Sequence, residues 1–468
     1  MDVTAGSATG ACCAYNDASP THRALPTMNH THQHHRARRA RLIAEMRRHS
    51  GGGIAAIPTA PEAIRNADTH YPYRPDSHFY YLCGFPEAEA VVVLLAGADE
   101  GDSKQILLCR DKNPEREIWD GFRYGPDAAR EIFGFDEAYS IGELQTRLTD
   151  WSGDRPAVFT PIGLYPAWDD LITTSLNEVR SRVRTGIAAP EVVVDVRAAL
   201  SSMRLTKDEQ ELKLMRRAAE ISCGAHRRAM ARTRADWYEY QVEAELMHEF
   251  LRSGAQAVAY PSIVASGPNA CVLHYRDNNR QMQSGDLLLI DAGCEFEGYA
   301  SDVTRTFPVG GKFSGPQKDV YELVLAAQLA CIDAVAPGRP FHAYHEVAER
   351  VLAQGLIDLK LCEGSLDAVL ESGAYKQFYM HRAGHWLGLD VHDVGLYRVN
   401  GESRLLEPGM LLTVEPGCYI RPGDKVPEEF WDIGVRIEDD VLVSAAGNEN
   451  LTAAAPKTVA DIEALMQR

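Results

Sequence analysis

The chain has 468 residues, 45% hydrophobic and 24% charged, a composition ordinary for a globular protein and a length that supports two or three domains with real cores. Its formal net charge of -18 excludes nucleic acid and anionic membrane as main partners. No apolar run approaches the roughly 18 residues of a membrane-spanning helix, and the first residues lack the basic, apolar, small-residue order of a secretion signal.

Residues 1–37 are rich in Ala, Ser, Thr, Gly and His without hydrophobic periodicity and are expected to be a disordered extension. Its histidines His30, His32, His34 and His35 read as a flexible polar tract, and Met28 as an alternative start. Of ten cysteines only Cys12 and Cys13 are close together, and no CxxC spacing occurs. Reduced thiols in a cytoplasmic protein are expected. Residues 38–198 alternate helical text (RRARLIAEMRRH, ELQTRLTDW) with apolar strands (AVVVLLAG, QILLCR, PAVFTPIG), which predicts an α/β domain. It holds no phosphate-binding loop and no dense cluster of acids or histidines, so a structural or regulatory role is its default. Trp119, in EIWDGFRYG, is expected to be a buried structural residue, the alternative being that it closes a cleft from a neighbouring subunit.

A boundary falls near residues 199–206. Thr206 and Glu209 form a capping-box pattern, after which Leu212, Met215, Ala219 and Ser222 recur at helical spacing. A second helix, WYEYQVEAELMHEFLRSG, is expected to stop at Gly254, and helical stretches at 316–335 and 342–356 fall between strand-like segments. Residues 199–468 therefore read as an α+β domain.

Five residues in those strand-like segments carry metal-ligand chemistry: Asp291, Asp302, His385, Glu415 and Glu438. Four carboxylates and one imidazole suit a pair of hard or borderline divalent cations, whereas a lone structural zinc favours thiolates. Asp291 and Asp302 are separated by an odd interval, which on one strand places them on opposite faces. A hairpin centred on Phe296 and Glu297 would instead make them directly opposed partners. His381 and His385 share the spacing of a helical zinc motif, but Arg382 replaces the needed glutamate, and Gly384 with Gly388 disfavours a helix. A glycine-loosened strand or loop is expected, with His392 as a third imidazole. Arg436 and Glu438 alternate with Val435 and Ile437, as on a half-buried strand, so guanidinium and carboxylate share a face.

These segments resemble the pita-bread metallopeptidases, the fold shared by methionine aminopeptidase, prolidase and aminopeptidase P. The resemblance to aminopeptidase P is carried by AYPSIVASGPNACVLHY, LIDAGCEFEGYASDVTRTFPV, GHWLGLDVHDVG, LEPGMLLTVEPG and GVRIEDDVLV, and in the first domain by YPYRPDSHFYYLCGFPEAEAVVVL. It implies an α+β pita-bread catalytic domain (199–468) preceded by an α/β amino-terminal domain (38–198). It further implies a dinuclear-metal aminopeptidase that releases the first residue from Xaa-Pro-Yaa peptides by metal-activated water attack. By the resemblance Asp291, Asp302, His385, Glu415 and Glu438 hold two divalent ions, most commonly manganese, with zinc, cobalt or iron as alternatives. His274, His381, His392 and Arg436 fall on substrate-side positions. Glu415 is expected to move the proton toward the proline nitrogen, and His381 and His392 to donate hydrogen bonds to the tetrahedral intermediate. A homodimer or homotetramer is implied. Prolidase activity on Xaa-Pro dipeptides is the alternative within the enzyme class, and a non-catalytic peptide-binding protein the alternative outside it.

Overall fold

A computed structural model describes residues 31–467 of the chain. Met28, His30 and the Cys12–Cys13 pair lie outside them. The amino-terminal part is built on a six-stranded mixed sheet, in the order Glu137–Ser140, Lys104–Cys109, Val91–Ala96, Gly53–Pro58, Ala157–Thr160, Val192–Asp195. Val91–Ala96 is buried along its whole length, as an apolar run with both faces covered should be. The helix Thr31–Ser50 buries Leu42 and Met46 on one face, and helices Leu144–Ser152 and Pro166–Ser181 bury Leu148, Ile172 and Leu176 on the other.

Residues 31–37, assigned above to the disordered extension, form the first turns of that helix. They lack an apolar stripe, so the sequence pattern does not announce them; tertiary contacts hold them instead. His35 Nδ1 donates to the Tyr81 carbonyl at 3.0 Å, and Arg36 Nη1 to the Gly134 carbonyl at 3.1 Å. Trp119 is 82% exposed, with Ile118 and Phe122 exposed beside it, which corrects its reading as a buried residue.

In the second half, helices Glu209–Arg232, Glu239–Arg252, Gly315–Ala334 and Ala343–Asp358 pack around short antiparallel sheets. Leu246, Phe250, Val324 and Leu352 from the helices meet Leu288, Ile290, Phe307 and Val435 from the strands in one core. The first helix is capped by Asp208, whose side chain accepts from the Gln210 and Glu211 amides at 3.0 Å while Glu211 reaches back to the Asp208 amide. The expected cap, Thr206, instead bridges to Met410 in extended conformation, so the helix starts two residues later than its TxxE pattern suggested. The eight described cysteines are buried and unpaired. No described helix is long and apolar enough to cross a membrane.

The hairpin that carries Asp291 has a different register from the one expected. Leu287–Asp291 pairs with Thr304–Pro308 so that Asp291 faces Thr304, and Phe296 faces Tyr299 across a turn at Glu297–Gly298. Both turn residues have positive φ, 48° and 83°, the conformation of a tight turn matched to strand twist. Asp302 therefore leaves the ladder. It sits in a kink where the Ala292 amide bonds the Val303 carbonyl at 3.0 Å, and its own amide donates to the Asp440 carboxylate at 3.2 Å.

The second half holds a buried charge cluster, and Arg74 of the first half bonds to the same region. Arg204 donates to Asp390 at 2.7 Å and to Asp393 at 2.5 Å, and Lys207 to Asp393 at 3.0 Å. Arg74 pairs with Glu295 at 2.6 Å and donates to the Leu389 carbonyl at 2.5 Å. These bonds pin the loop that follows Gly388.

Candidate metal centre

The predicted chemistry converges on one cavity of about 600 Å³, within the size range of small-molecule sites. All five ligand candidates line it, and so do His274, His381, His392 and Arg436. Asp291 closes a strand whose other four residues are buried. Its Oδ2 accepts from Arg436 Nη2 at 2.6 Å, and its Oδ1 from the Tyr260 hydroxyl at 2.6 Å. Tyr260 also contacts Asp302 Oδ1. One hydroxyl proton serves two carboxylates, which ties the pair together despite the broken ladder.

Glu438 follows the strand Ile433–Arg436 at a break before Asp439–Ser444. Residues 433–440 are buried throughout, a stricter burial than the half-exposed strand expected. The Glu438 amide donates to the Thr304 carbonyl at 3.1 Å, and Thr304 Oγ1 to Glu438 Oε2 at 2.6 Å. Behind it, Arg305 donates to the Glu438 carbonyl at 2.6 Å and pairs with Asp439 at 2.6 Å, with neither partner exposed.

His385 and Glu415 come from two segments that run antiparallel. The Leu387 amide bonds the Leu411 carbonyl, Thr413 bonds His385 and Glu415 bonds Ala383, at 3.1, 2.9 and 2.8 Å. This is the extended, non-helical delivery of histidines that the glycines foretold. A Cβ on Gly384 would lie 2.0 Å from the Thr413 carbonyl oxygen, so only glycine permits the approach. His385 Nδ1 lies 3.0 Å from the Trp386 carbonyl. A carbonyl can only accept, so Nδ1 carries the proton and Nε2 presents its lone pair to the cavity. Nε2 is 3.5 Å from Asp302 and 3.6 Å from Glu415.

His381 is arranged differently. Its Nδ1 donates to the Arg382 carbonyl at 2.8 Å, so Nε2 accepts from the Tyr419 hydroxyl at 2.8 Å, and Arg436 in turn donates to Tyr419 at 3.0 Å. Burial, then Arg436, lowers His381 to about 4, which keeps it neutral. Both of its nitrogens are engaged within the protein. His392, exposed at the cavity edge with its ring 4.3 Å from that of His385, makes no side-chain hydrogen bond among the described residues. Of the two histidines, His392 is thus the one open to a substrate.

The electrostatics call for a cation. At the cavity floor four carboxylates face the single buried guanidinium of Arg436, so negative charge is in excess there when all are ionised. Burial raises Asp291 above the usual carboxylate range despite Arg436, and raises Glu415 to about 7. Burial, then Asp302, Glu415 and Asp291, drives Glu438 far upward. Burial alone would lower His385, yet Asp302 and Glu415 outweigh it and bring it to about 9, so near neutral pH a proton holds the Nε2 lone pair until a metal ion displaces it. Each shift is a demand for positive charge that protons meet poorly. Ligand atoms of Asp302, His385 and Glu438 lie within 4.8 Å of one another. An imidazole lone pair and carboxylate oxygens 3.5–3.6 Å apart bracket a space suited to a divalent ion. The residues present fit such an ion.

Tyr260, Thr304, Thr413 and Tyr419 were not singled out by sequence reasoning. Thr413 accepts from the His385 amide at 3.1 Å and donates to Glu415 at 3.3 Å. Period-2 spacing held the signal for two of them: Thr304 is two residues beyond Asp302, and Thr413 two before Glu415. No local pattern pointed to Tyr260 or Tyr419.

Residues 213–445 match the model of metallopeptidase family M24, and residues 35–159 that of the aminopeptidase P amino-terminal domain. The chain is 43% identical over 434 residues to the Xaa-Pro aminopeptidase of Escherichia coli K12, covering 93% of this chain and 97% of that one. It superposes on aminopeptidase PepP of Pseudomonas aeruginosa with a TM-score of 0.91 at 49% identity, covering 94% of this chain and 99% of that one. It also superposes on zinc-substituted Escherichia coli aminopeptidase P in complex with product, with a TM-score of 0.90 at 42% identity and coverage of 93% and 98%.

Proposed function

The chain belongs to metallopeptidase family M24, and from that premise we propose how this Xaa-Pro aminopeptidase releases the first residue of peptides with proline in second position. Its catalytic half has the α+β pita-bread fold, preceded by an α/β amino-terminal domain. We place the division between residues 198 and 199. The observation that carries the mechanism is the convergence of four carboxylates and the His385 Nε2 lone pair on one cavity floor.

Asp291, Asp302, His385, Glu415 and Glu438 would hold two divalent metal ions. Bound ions of this kind supply Lewis acidity, which polarises a carbonyl and makes water a nucleophile near neutral pH. Carboxylate-rich donors favour manganese, with zinc, cobalt or iron as alternatives. Glu415 takes the water proton and returns it to the departing proline nitrogen. Arg436 and Tyr260 hold Asp291 in place, and Thr413 aims Glu415. His392 donates toward the oxyanion. His381 orients Tyr419 against Arg436 and so acts on the substrate through them. His274 lines the exposed wall. The free α-amine of the peptide rests at the anionic floor near Asp291, which limits removal to one residue. A proline amide has no N–H, so the cleft need offer no acceptor there.

The exposed trio Ile118, Trp119 and Phe122 suits burial in a homodimer or homotetramer. Eight unpaired cysteines suit a reducing cytoplasm. The test is peptide length: chelated enzyme reloaded with manganese should cleave Xaa-Pro-Yaa, and Glu415→Ala should lose that activity. Cleavage confined to Xaa-Pro dipeptides would make the enzyme a prolidase, and full activity in Glu415→Ala would remove the proton shuttle.

A further inference from the structure

The catalytic cavity is polarised along its depth. Its four carboxylates, Asp291, Asp302, Glu415 and Glu438, are buried or half-buried at the floor, whereas its exposed lining carries no acid and includes two arginines, Arg276 and Arg382. The third arginine of the cavity, Arg436, is buried and committed to Asp291. Neither Arg276 nor Arg382 makes a side-chain hydrogen bond or ion pair among the described residues. That is notable in a chain where acids outnumber bases 66 to 48. Nearby arginines have found carboxylates, Arg280 on Asp286 at 2.5 Å and Arg74 on Glu295 at 2.6 Å.

The backbone at both rim arginines is anchored while the residues themselves are exposed. His381 bonds the Arg382 carbonyl at 2.8 Å, and residues 383–387 are laced to residues 411–415. Arg276 follows Tyr275, whose hydroxyl is held by buried Glu239 at 2.7 Å. A peptide bound for removal of one residue has a matching polarity. Its ammonium end belongs at the acidic floor, and the part beyond proline must leave through the rim.

We propose that Arg276 and Arg382 determine specificity by binding a carboxylate carried by the departing part of the peptide, within a few residues of the scissile bond. This rests on the peptidase reading above. The carboxylate has two sources, the C-terminus of a short peptide or an acidic side chain. A guanidinium and a carboxylate form paired, charge-assisted hydrogen bonds, so the preference acts through binding.

The test compares Ala-Pro-Ala as free acid, Ala-Pro-Ala amide and Ala-Pro-Glu amide on the metal-loaded enzyme. At low salt kcat/KM should favour the free acid over the Ala-Pro-Ala amide by about tenfold, carried by KM. The acid-to-amide ratio should fall toward one in R276Q/R382Q, invert in R276E/R382E, and shrink in the wild type as ionic strength rises. Recovery of the preference by Ala-Pro-Glu amide assigns the site to any carboxylate on that side; failure to recover assigns it to the C-terminus alone. Equal cleavage of acid and amide by the wild type, or an undiminished ratio in R276Q/R382Q, overturns the proposal and leaves the peptidase reading intact. Cleavage of none of the three peptides removes that reading and this proposal with it.

Discussion

Replacing Asp393 with alanine should destabilise the protein by about 3–5 kcal/mol, because it strands a buried ammonium. Asp393, Arg204 and Lys207 are all buried, with Lys207 Nζ 3.0 Å and Arg204 Nη2 2.5 Å from the two carboxylate oxygens. At an effective dielectric of about 20, unit charges about 3 Å apart attract by about 5 kcal/mol. After the substitution Arg204 keeps Asp390 at 2.7 Å, but Lys207 keeps only the Leu205 carbonyl at 3.4 Å. The loss therefore centres on Lys207, and Lys207→Met in the Asp393→Ala background should recover at least half of it. Denaturant titration of the metal-loaded protein measures both numbers. The same variants should lower kcat/KM, since the Asp393 carboxylate ties the loop that carries His392 to Arg204 and Lys207. A loss below about 1 kcal/mol for Asp393→Ala, in the range of an exposed pair, or no recovery with Lys207→Met, would refute the reasoning.

Gly384→Ala should cost about 1–3 kcal/mol through overpacking and remove most of the activity. The new Cβ meets the Thr413 oxygen at 2.0 Å and the Tyr344 hydroxyl at 2.7 Å, and the shift displaces His385; thermal melting with an activity assay checks it. Acid should destabilise the fold through His226, which burial lowers to about 4. Its folded value lies below the unfolded one of about 6.5, so this stabilising term is complete above pH 6.5 and lost as pH falls toward 4, reaching about 3 kcal/mol. His226→Gln should flatten the stability difference between pH 7 and pH 4.5, and an unchanged slope would assign the acid sensitivity elsewhere. Chelation should lower the melting temperature as well as the activity, because four buried carboxylates lose their counter-charge. Manganese at about 100 times its Kd should restore about 2.7 kcal/mol.

The helices were legible where hydrophobic spacing was strong, as at Leu212, Met215, Ala219 and Ser222, all of which are buried. The start at Thr31 was not, because that polar stretch is held by contacts to Tyr81 and Gly134, far along the chain. Residues proposed from carboxylate and imidazole chemistry lie around one cavity; Asp291 closes and Glu415 follows a strand whose apolar run marks burial, whereas the histidines come from an irregular, glycine-containing segment. The register of the hairpin was misjudged by two residues. A glutamate at positive φ is an unusual turn residue, and the Glu297–Gly298 turn was placed one residue too early. Asp302 consequently meets Asp291 through a kink and a shared tyrosine rather than across a ladder. Contacts such as Arg204 with Asp393, 189 residues apart, leave no local trace to read.

The central claim is that divalent ions held by Asp291, Asp302, His385, Glu415 and Glu438 make this chain an Xaa-Pro aminopeptidase. The most direct measurement is metal content per chain during stepwise reloading of chelated protein, followed alongside release of the first residue from an Xaa-Pro-Yaa peptide. The account predicts uptake of two ions per chain, with activity rising as they bind and uptake lost in Asp302→Ala. Cleavage by protein free of metal, or full uptake in Asp302→Ala, would contradict it.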